Sequence, residues 1–377
     1  MAHPTPLHHA AAQAGAVFTE EGGWSIPAHF GDPNREYEQA RSGCVVFDQS
    51  HRGKLQLTGR EAARFLHNLT TQDVLNLPPG EGREAFALTA KARVVAYFLL
   101  FHQKTPQGES AYWLNLPPGA AETTLKHLDR YHVSEQVDFQ DRTHDFFQLH
   151  LTGPQAAAVL EKTAGAALPQ LKEMKDLHYF RLPLTPFAIC RHDVLGTCGF
   201  DMFGPTAALA EAVWEQLTPT GATWPEALWN RLKEAGAAPA GREAFETLRI
   251  EAGTPAFGPD LDENTFAPEV GRAAQAISYT KGCYLGQEPI VMARDRGQVN
   301  RALLGLKLTG GSVPHGCLVY RDGKEIGRVT SSVASPRLGP IALAYIRRGS
   351  QESGTAVEVE VERARRPAVV SALPFTG

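Results

Sequence analysis

Little in this chain of 377 residues points to a disulfide scaffold, a metal cluster or a membrane. Its five cysteines, Cys44, Cys190, Cys198, Cys283 and Cys317, are scattered, odd in number and never spaced as CxxC. That pattern argues against a disulfide framework or a zinc ribbon and fits reduced thiols in a cytoplasm, which is the expected compartment. No run of about 18 apolar residues occurs, so no membrane-spanning helix is expected. The opening MAHPTPLHHAAAQAG has neither the basic start nor the apolar core of a signal peptide. Roughly its first dozen residues read as a flexible tail. Positive charge is not in excess either: the net charge is −4. Direct tRNA or other nucleic-acid binding is therefore not indicated by charge, local patches aside. There is no P-loop, no GxGxxG followed by an acid, no HExxH and no GxSxG. The 14 histidines are dispersed, and His132, His144 and His150 are too irregularly spaced for a metal cluster, so no metal site is expected. Repeats of solenoid period and low-complexity tracts are also missing.

What is present is a globular composition, 43% hydrophobic and 21% charged. A chain of this length outgrows one core and divides into two or three domains. CVVFDQS and GKLQLTG read as short strands, the second with alternating Leu55 and Leu57. GREAARFLHNLTTQDV reads as a helix with Ala62, Phe65, Leu66 and Leu69 on one face. FALTAKARVVAYFLLFH reads as two strands with a turn near Lys91. AETTLKHLDRY is a helix, and DFFQLHLTGPQAAAVLEK a strand leading into a helix at Gly153-Pro154. HDVLGTCGFDMFGP is a glycine-punctuated strand pair, TAALAEAVWEQL a helix, and GREAFETLRIEAG a helix stopped by Gly253. Beyond residue 300 the texture is all-β. GCLVYRDGKEIGRVTSS is a hairpin about Asp322-Gly323, and TAVEVEVERARRPAVV a half-exposed strand.

Few residues carry chemistry on their own account. Cys283 lies in YTKGCYLGQEPIV, two residues after Lys281, whose ammonium would favour a thiolate. The alternative is a small buried residue at a domain junction. Arg249 and Glu251, in TLRIEAG, point in different directions on a helix, either toward a pocket or into structural ion pairs. Asp201 follows a glycine-rich strand end, where a carboxylate accepts N–H donors from a planar heterocycle or closes a turn.

Several segments occur in a characteristic order: GWSIPAHFG, VVFDQSHRGKLQLTGREAARFLHNLTTQDV, LHLTGPQAAAVL, GFDMFGP, LRIEAGTPAFGPDLDENTFAPEV and KGCYLGQEPIVMARDRGQVNRALLGLKL. Together they resemble the glycine-cleavage T-protein (aminomethyltransferase) superfamily from about residue 20 to the end. The KGCYLGQE version is similar to its YgfZ branch of folate-binding proteins, in which Cys283 replaces an acidic residue of the transferases. The resemblance implies an α+β fold, a three-domain cloverleaf with a C-terminal all-β barrel. It implies a first, discontinuous folate-binding domain over 1–50 and 145–280, an inserted α+β domain over 51–144, and a barrel domain over 290–377.

The resemblance also implies a tetrahydrofolate or related folate as cofactor, with Asp201, Arg249, Tyr97 and Glu251 at its site. It makes Cys283, with Lys281, the candidate reactive group. Arg93, Lys91 or Arg294 would meet a glutamyl tail. One departure matters: the transferases carry paired aspartates where this chain has Ala96 and Tyr97, and neither side chain is a base near neutral pH. Asp48 is the nearest acid to stand in. The function implied is folate-dependent support of iron–sulfur cluster assembly or repair and of iron–sulfur-dependent tRNA modification. Its partners would be iron–sulfur enzymes or assembly proteins. The alternative is a folate-dependent aminomethyltransferase or demethylase acting on a methylated amine or related small substrate.

Overall fold

The computed structural model describes residues 2–105, 107–181, 187–206, 223–297 and 299–376. The helix expected over TAALAEAVWEQL falls outside them. Among the described residues the chain builds four sheets, one of them closed. A small three-stranded sheet pairs His3–Pro4, Trp24–His29 and Val17–Glu21. The opening segment is thus no loose tail: Leu7 is fully buried in a core with Val46, Leu151 and Trp229, and a short helix spans His8–Gln13. The apolar Leu7 and Ala11, too few to read as a pattern, are what tie it down.

A six-stranded sheet runs in the order Tyr179–Arg181, Ala188–Arg191, Gly199–Pro205, Phe146–Thr152, Val45–Asp48, Ala238–Pro239. Its central strands pair residues about 100 positions apart in sequence, Leu149 with Asp48, because the five-stranded sheet is formed by the chain between them. That second sheet is antiparallel and ordered Gly82–Leu88, Val94–Lys104, Ser110–Leu116, Gly53–Thr58, Asp138–Asp141. The expected turn near Lys91 joins its first two strands, with Ala92 at φ 54°. The helix Ala62–Leu69 buries Ala62, Phe65, Leu66 and Leu69 as expected, but ends at Thr70, whose hydroxyl donates back to the Leu66 carbonyl.

The last sheet is a closed six-stranded barrel, Arg301–Leu308 to Ala364–Ser371, so the expected α+β architecture with an all-β C-terminal barrel is present. Asp322 and Gly323, at φ 51° and 77°, make its predicted hairpin turn. AVEVEVERARRPAVV is not one strand. It is a second hairpin, Ala356–Val361 and Ala364–Ser371, turning at Glu362 and Arg363 with φ 52° and 68°. Neither residue advertises a left-handed turn, so the alternation reads straight through it.

The helix Arg242–Glu251 joins these parts. Ala244 and Leu248 pack with Tyr37, Val45 and Phe47, while Ile250 packs against Leu303, Ile341 and Phe375 of the barrel side. Leu248 and Ile250, fully buried, each contribute about 1.5–3 kcal/mol relative to exposure. Polar residues on the rest of this helix are left to face the space where the sheets meet.

Candidate functional site

That space is a cleft of about 1210 Å³, counting its open mouth. It is walled by the first two strands of the five-stranded sheet (Glu84, then Tyr97, Phe98 and Leu99), the loop after Asp48 (Gln49, His51, Arg52), the loop 192–196, the helix Arg242–Glu251 and Pro374 after the barrel. A second cavity of about 710 Å³ is bounded mainly by Phe101, Trp113, Phe146, Tyr179 and Phe203. No carboxylate or imidazole lines it, so the charged cleft is the better seat for chemistry.

The cleft's charges form a ladder. Glu21 accepts from Arg242 at 2.6 and 3.0 Å, and Arg242 also meets Glu246. Glu246 accepts two hydrogen bonds of 2.5 Å from Arg249, whose Nη1 donates to Asp260 at 2.7 Å. On the facing wall Arg272 pairs with Glu84, which also accepts the Tyr97 hydroxyl at 2.6 Å. Asp193 is forked by Arg191 at 2.6 and 2.8 Å, and Asp176 accepts the Asp193 amide at 3.0 Å. Every cleft carboxylate therefore already has a partner. Arg52 differs from the other cleft arginines: its Nε donates to Asn115 at 2.6 Å, and it makes no ion pair among the described residues. His51 is buried with its Nδ1 unpartnered, and its Nε2 is 3.4 Å from Glu21.

The residues singled out in the sequence separate here. Tyr97 and Arg249 line the cleft; Asp201, Glu251, Cys283 and Lys281 do not. Tyr97 is tied to Glu84, and burial together with that carboxylate pushes its phenol far up, so it stays a hydrogen-bond donor. Arg249 is consumed by Glu246, Asp260 and the Ser331 hydroxyl. Ala96, fully buried, packs with Leu55 and Phe65 in the core of the five-stranded sheet. Asp201 is no open acceptor for a heterocycle: it is buried, with one oxygen accepting from His150 Nδ1 at 2.9 Å and the other from His192 Nδ1 at 2.7 Å.

Glu251 is buried away from the cleft. It accepts from Tyr37 at 2.8 Å, from Ser335 and from Arg337, joining its helix to the helix Pro33–Ser42 and to the barrel. Lys281 is buried too. Its Nζ donates to the carbonyls of His67, Thr70 and Gln72 and sits 4.7 Å from the Tyr284 ring centre. Its ammonium is thus turned into the protein instead of toward the exposed Cys283. Gly286, at φ 82°, explains part of that motif: a Cβ there would meet the Thr89 carbonyl at 2.5 Å, so glycine lets the segment dock on the turn at residues 89–93. Asp48 lies outside the cleft wall, with Oδ1 accepting the Ser50 amide at 2.9 Å. Arg93 reaches the Asn264 carbonyl and Arg294 pairs with Asp295; neither lines the cleft, nor does Lys91.

Comparison with known proteins gives this arrangement a family. A family description, GCVT N-terminal domain, matches residues 7–278, and the glycine cleavage T-protein C-terminal barrel domain matches residues 301–376. The chain belongs to the glycine cleavage T-protein family. An aminomethyltransferase of Nostoc sp. is 31% identical over 98% of this chain and 95% of its own length. That of Bacillus subtilis is 26% identical over 98% of both. The crystal structure of the glycine cleavage system aminomethyltransferase T from Bartonella henselae superposes with a TM-score of 0.84, at 24% identity, covering 100% of this chain and 98% of the other. Aminomethyltransferases of the T-protein family use tetrahydrofolate. Among the described residues, no helix is long and apolar enough to cross a membrane.

The cleft suits a folate in kind. Leu99, Phe245, Phe257 and the prolines at 117, 118 and 374 present apolar faces to a flat ring, while His51 Nδ1 and the Arg52 guanidinium retain unmet capacity for polar contacts. His51, Arg52, His192, Arg242 and Arg272 were missed in the sequence. The histidines and Arg52 sit in SHRGK and CRHD, short polar runs at strand ends, which is where sites collect. Nothing local marks Arg242 or Arg272, whose partners lie 221 and 188 residues away.

The ladder has a pH signature. Burial raises the Glu21 carboxyl, but His51 and Arg242 together outweigh it and bring its pKa from 4.5 down to about 2. A carboxylate depressed by folding adds stability that is complete above the unfolded value and lost as pH falls through the folded one. Between pH 4.5 and 2, wild-type protein is expected to lose more stability than Glu21→Gln, as read by urea unfolding at stepped pH. Parallel losses in the two proteins would remove Glu21 from the account.

Proposed function

We propose that this protein binds a tetrahydrofolate in the cleft between the sheets and acts there as a folate-dependent aminomethyltransferase on a small aminomethyl donor other than the one served by the family's paired aspartates. The observation that carries this is the wall at 96 and 97. There a buried methyl and a phenol bound to Glu84 stand where the family's acids are expected, while the fold, the apolar faces and Arg52, without an ion pair among the described residues, remain. The names of full-length relatives support the transferase class. Tetrahydrofolate, when bound, supplies the acceptor for the one-carbon unit. The chain contributes the apolar walls that exclude water, Arg52 to meet a carbonyl or carboxylate, and the paired acids that hold the wall in shape. The same reading takes residues 1–50 with 145–280 as the folate-binding unit, 51–144 as an inserted unit and 290–377 as the barrel unit.

A second reading, folate-dependent support of iron–sulfur enzymes and of the tRNA modification they perform, rests on Cys283. Its loop is anchored by Lys281 and Gly286, yet its thiol is exposed, as a group offered to another protein would be. One thiol does not hold a cluster, for which four ligands are usual, so any role there needs a partner's ligands.

The shared premise and the two readings separate in one series. Tryptophan fluorescence and calorimetry are expected to show saturable tetrahydrofolate binding, weakened about tenfold or more in Arg52→Met. Release of ammonia from aminomethyl-thiol donors is expected only when tetrahydrofolate is present. No binding up to millimolar ligand rejects both readings. Binding without ammonia release across the donors rejects the transferase.

A further inference from the structure

Asp201, His150 and His192 form a buried cluster that the family resemblance does not anticipate. Their ligand atoms all lie within 4.8 Å of one another, a spacing open to a metal ion. The hydrogen bonds argue otherwise. Both carboxylate oxygens accept from imidazole Nδ1 atoms, at 2.9 and 2.7 Å, and so both Nδ1 atoms carry protons and offer no lone pair. The cluster is two imidazoles held by one carboxylate.

The two rings differ in outlook. His150, from the strand Phe146–Thr152, is buried, and its Nε2 has no partner. His192 stands at the start of the loop 192–196 and lines the cleft. With Nδ1 given to Asp201, its Nε2 is the nitrogen left over, and it has no hydrogen bond among the described residues. The ring is held in place: the His192 amide donates to the Gly199 carbonyl at 2.9 Å, and a Cβ on Gly199 would meet the His192 carbonyl at 2.4 Å and the His150 ring at 3.0 Å. Only glycine there lets the three side chains converge. Since every cleft carboxylate is committed, the imidazoles of His192 and His51 are the groups left to exchange protons, and of the two backing carboxylates Asp201, unlike Glu21, makes no ion pair with an arginine or lysine among the described residues.

We propose that His192 is the proton carrier of the cleft, with Asp201 as its positioning residue. This rests on the transferase reading above. In the step assigned to it, the Nε2–H bond of the His192 imidazolium breaks and its electron pair stays on Nε2. The proton goes to the amine nitrogen of the bound donor as that nitrogen's bond to the one-carbon unit breaks; the carbon forms its new bond to an amine nitrogen of the folate acceptor, which releases its own proton, and the ring keeps its Nδ1–H on Asp201. No oxidant or reductant enters.

The electrostatics agree. Burial works against a charged ring, but Asp201 beside it and Asp176 beyond outweigh that and the repulsion from Arg52, so the His192 pKa is raised. The other groups around it are His150, Asp193, Cys190 and Arg191. Cys190 is itself pushed up by burial and by Asp201, and Asp193 is held in its Arg191 fork.

The test has two parts. In ligand-free protein, the His192 ring, assigned by its loss in His192→Gln, is followed by NMR through pH 5 to 9. It is expected to titrate above the ordinary value of about 6.5, and Asp201→Asn is expected to lower it by one unit or more. Titration at or below the ordinary value, or a ring unmoved by Asp201→Asn, overturns the proposal. Should Asp201→Asn fail to fold, the wild-type midpoint alone decides this part. In turnover, His192→Gln is expected to lower kcat about 100-fold or more, with KM for the donor within about threefold. The wild-type rate should decline on the alkaline side of the His192 midpoint. A kcat within threefold of wild type overturns the proposal even if the transferase reading stands. Absence of any wild-type turnover removes the transferase reading, and the ring titration then shows separately whether Asp201 holds a protonated His192.

Discussion

Arg249→Ala is expected to lower the stability of the protein by about 3–5 kcal/mol, the cost of leaving one member of a buried ion pair alone. Arg249 and Asp260 are both almost fully buried, and the guanidinium also reaches Glu246, the Thr254 carbonyl and Ser331 on the barrel strand Lys324–Ser335. Removing it strands Asp260 and cuts a tie between the helix Arg242–Glu251 and the barrel. The lower end of the range applies because Asp260 keeps the hydroxyls of Thr330 and Ser331 at 2.6 and 2.7 Å and the Ala256 amide at 2.9 Å. Arg249→Lys retains the charge but not the planar fork, and is expected to recover only part of the loss. Denaturant unfolding, followed separately by tryptophan fluorescence and far-UV circular dichroism, measures this. A residue serving only to grip ligand would behave differently: folate affinity would fall while the unfolding midpoint stayed put. That pattern would return Arg249 to the purely ligand-binding role implied by resemblance.

The contrast between Arg249 and Asp201 shows what the sequence carries and what it does not. Period and turn chemistry are local, so the helix around Leu248, the hairpin at Asp322-Gly323 and the all-β ending were legible. The hairpin at Glu362-Arg363 was not, because its turn uses residues that ordinarily avoid positive φ. Family motifs marked Asp201, Glu251 and Arg249 as special, and all three are densely bonded. A motif does not say toward what, and here two of the three serve contacts outside the cleft wall. The cleft itself depends on pairs such as Glu21 with Arg242 and Glu84 with Arg272, which exist only once distant strands and helices are placed. His192 and His150 were unreadable for the same reason: their common partner is 9 residues from one and 51 from the other.

Within KGCYLGQE the lysine, not the cysteine, is expected to govern folding. Lys281→Ala removes the donor shared by the carbonyls of His67, Thr70 and Gln72, all gathered at the end of the helix Ala62–Leu69. A buried acceptor left without a partner costs about 1–3 kcal/mol. Water entering the vacated space would meet part of that need, so about 3 kcal/mol is expected in total. Burial draws the Lys281 pKa down to about 7. The charged form is therefore held against a solvation penalty, which the nearby Asp73 carboxylate opposes in part, while the three carbonyls accept its hydrogen bonds. Lys281→Met, which fills the space without donors, is expected to remain destabilised, separating lost hydrogen bonds from lost volume. Cys283→Ala, at an exposed position two residues away, is expected to shift stability by no more than about 0.5 kcal/mol. It is also expected to leave tetrahydrofolate affinity unchanged, since Cys283 does not line the cleft. Cells carrying Cys283→Ala at wild-type protein levels then decide what the thiol is for. Loss of iron–sulfur enzyme activity would assign it to a partner and favour the second reading. Wild-type activity of those enzymes would leave Cys283 as an exposed side chain on a loop whose sequence is explained by Lys281 and Gly286.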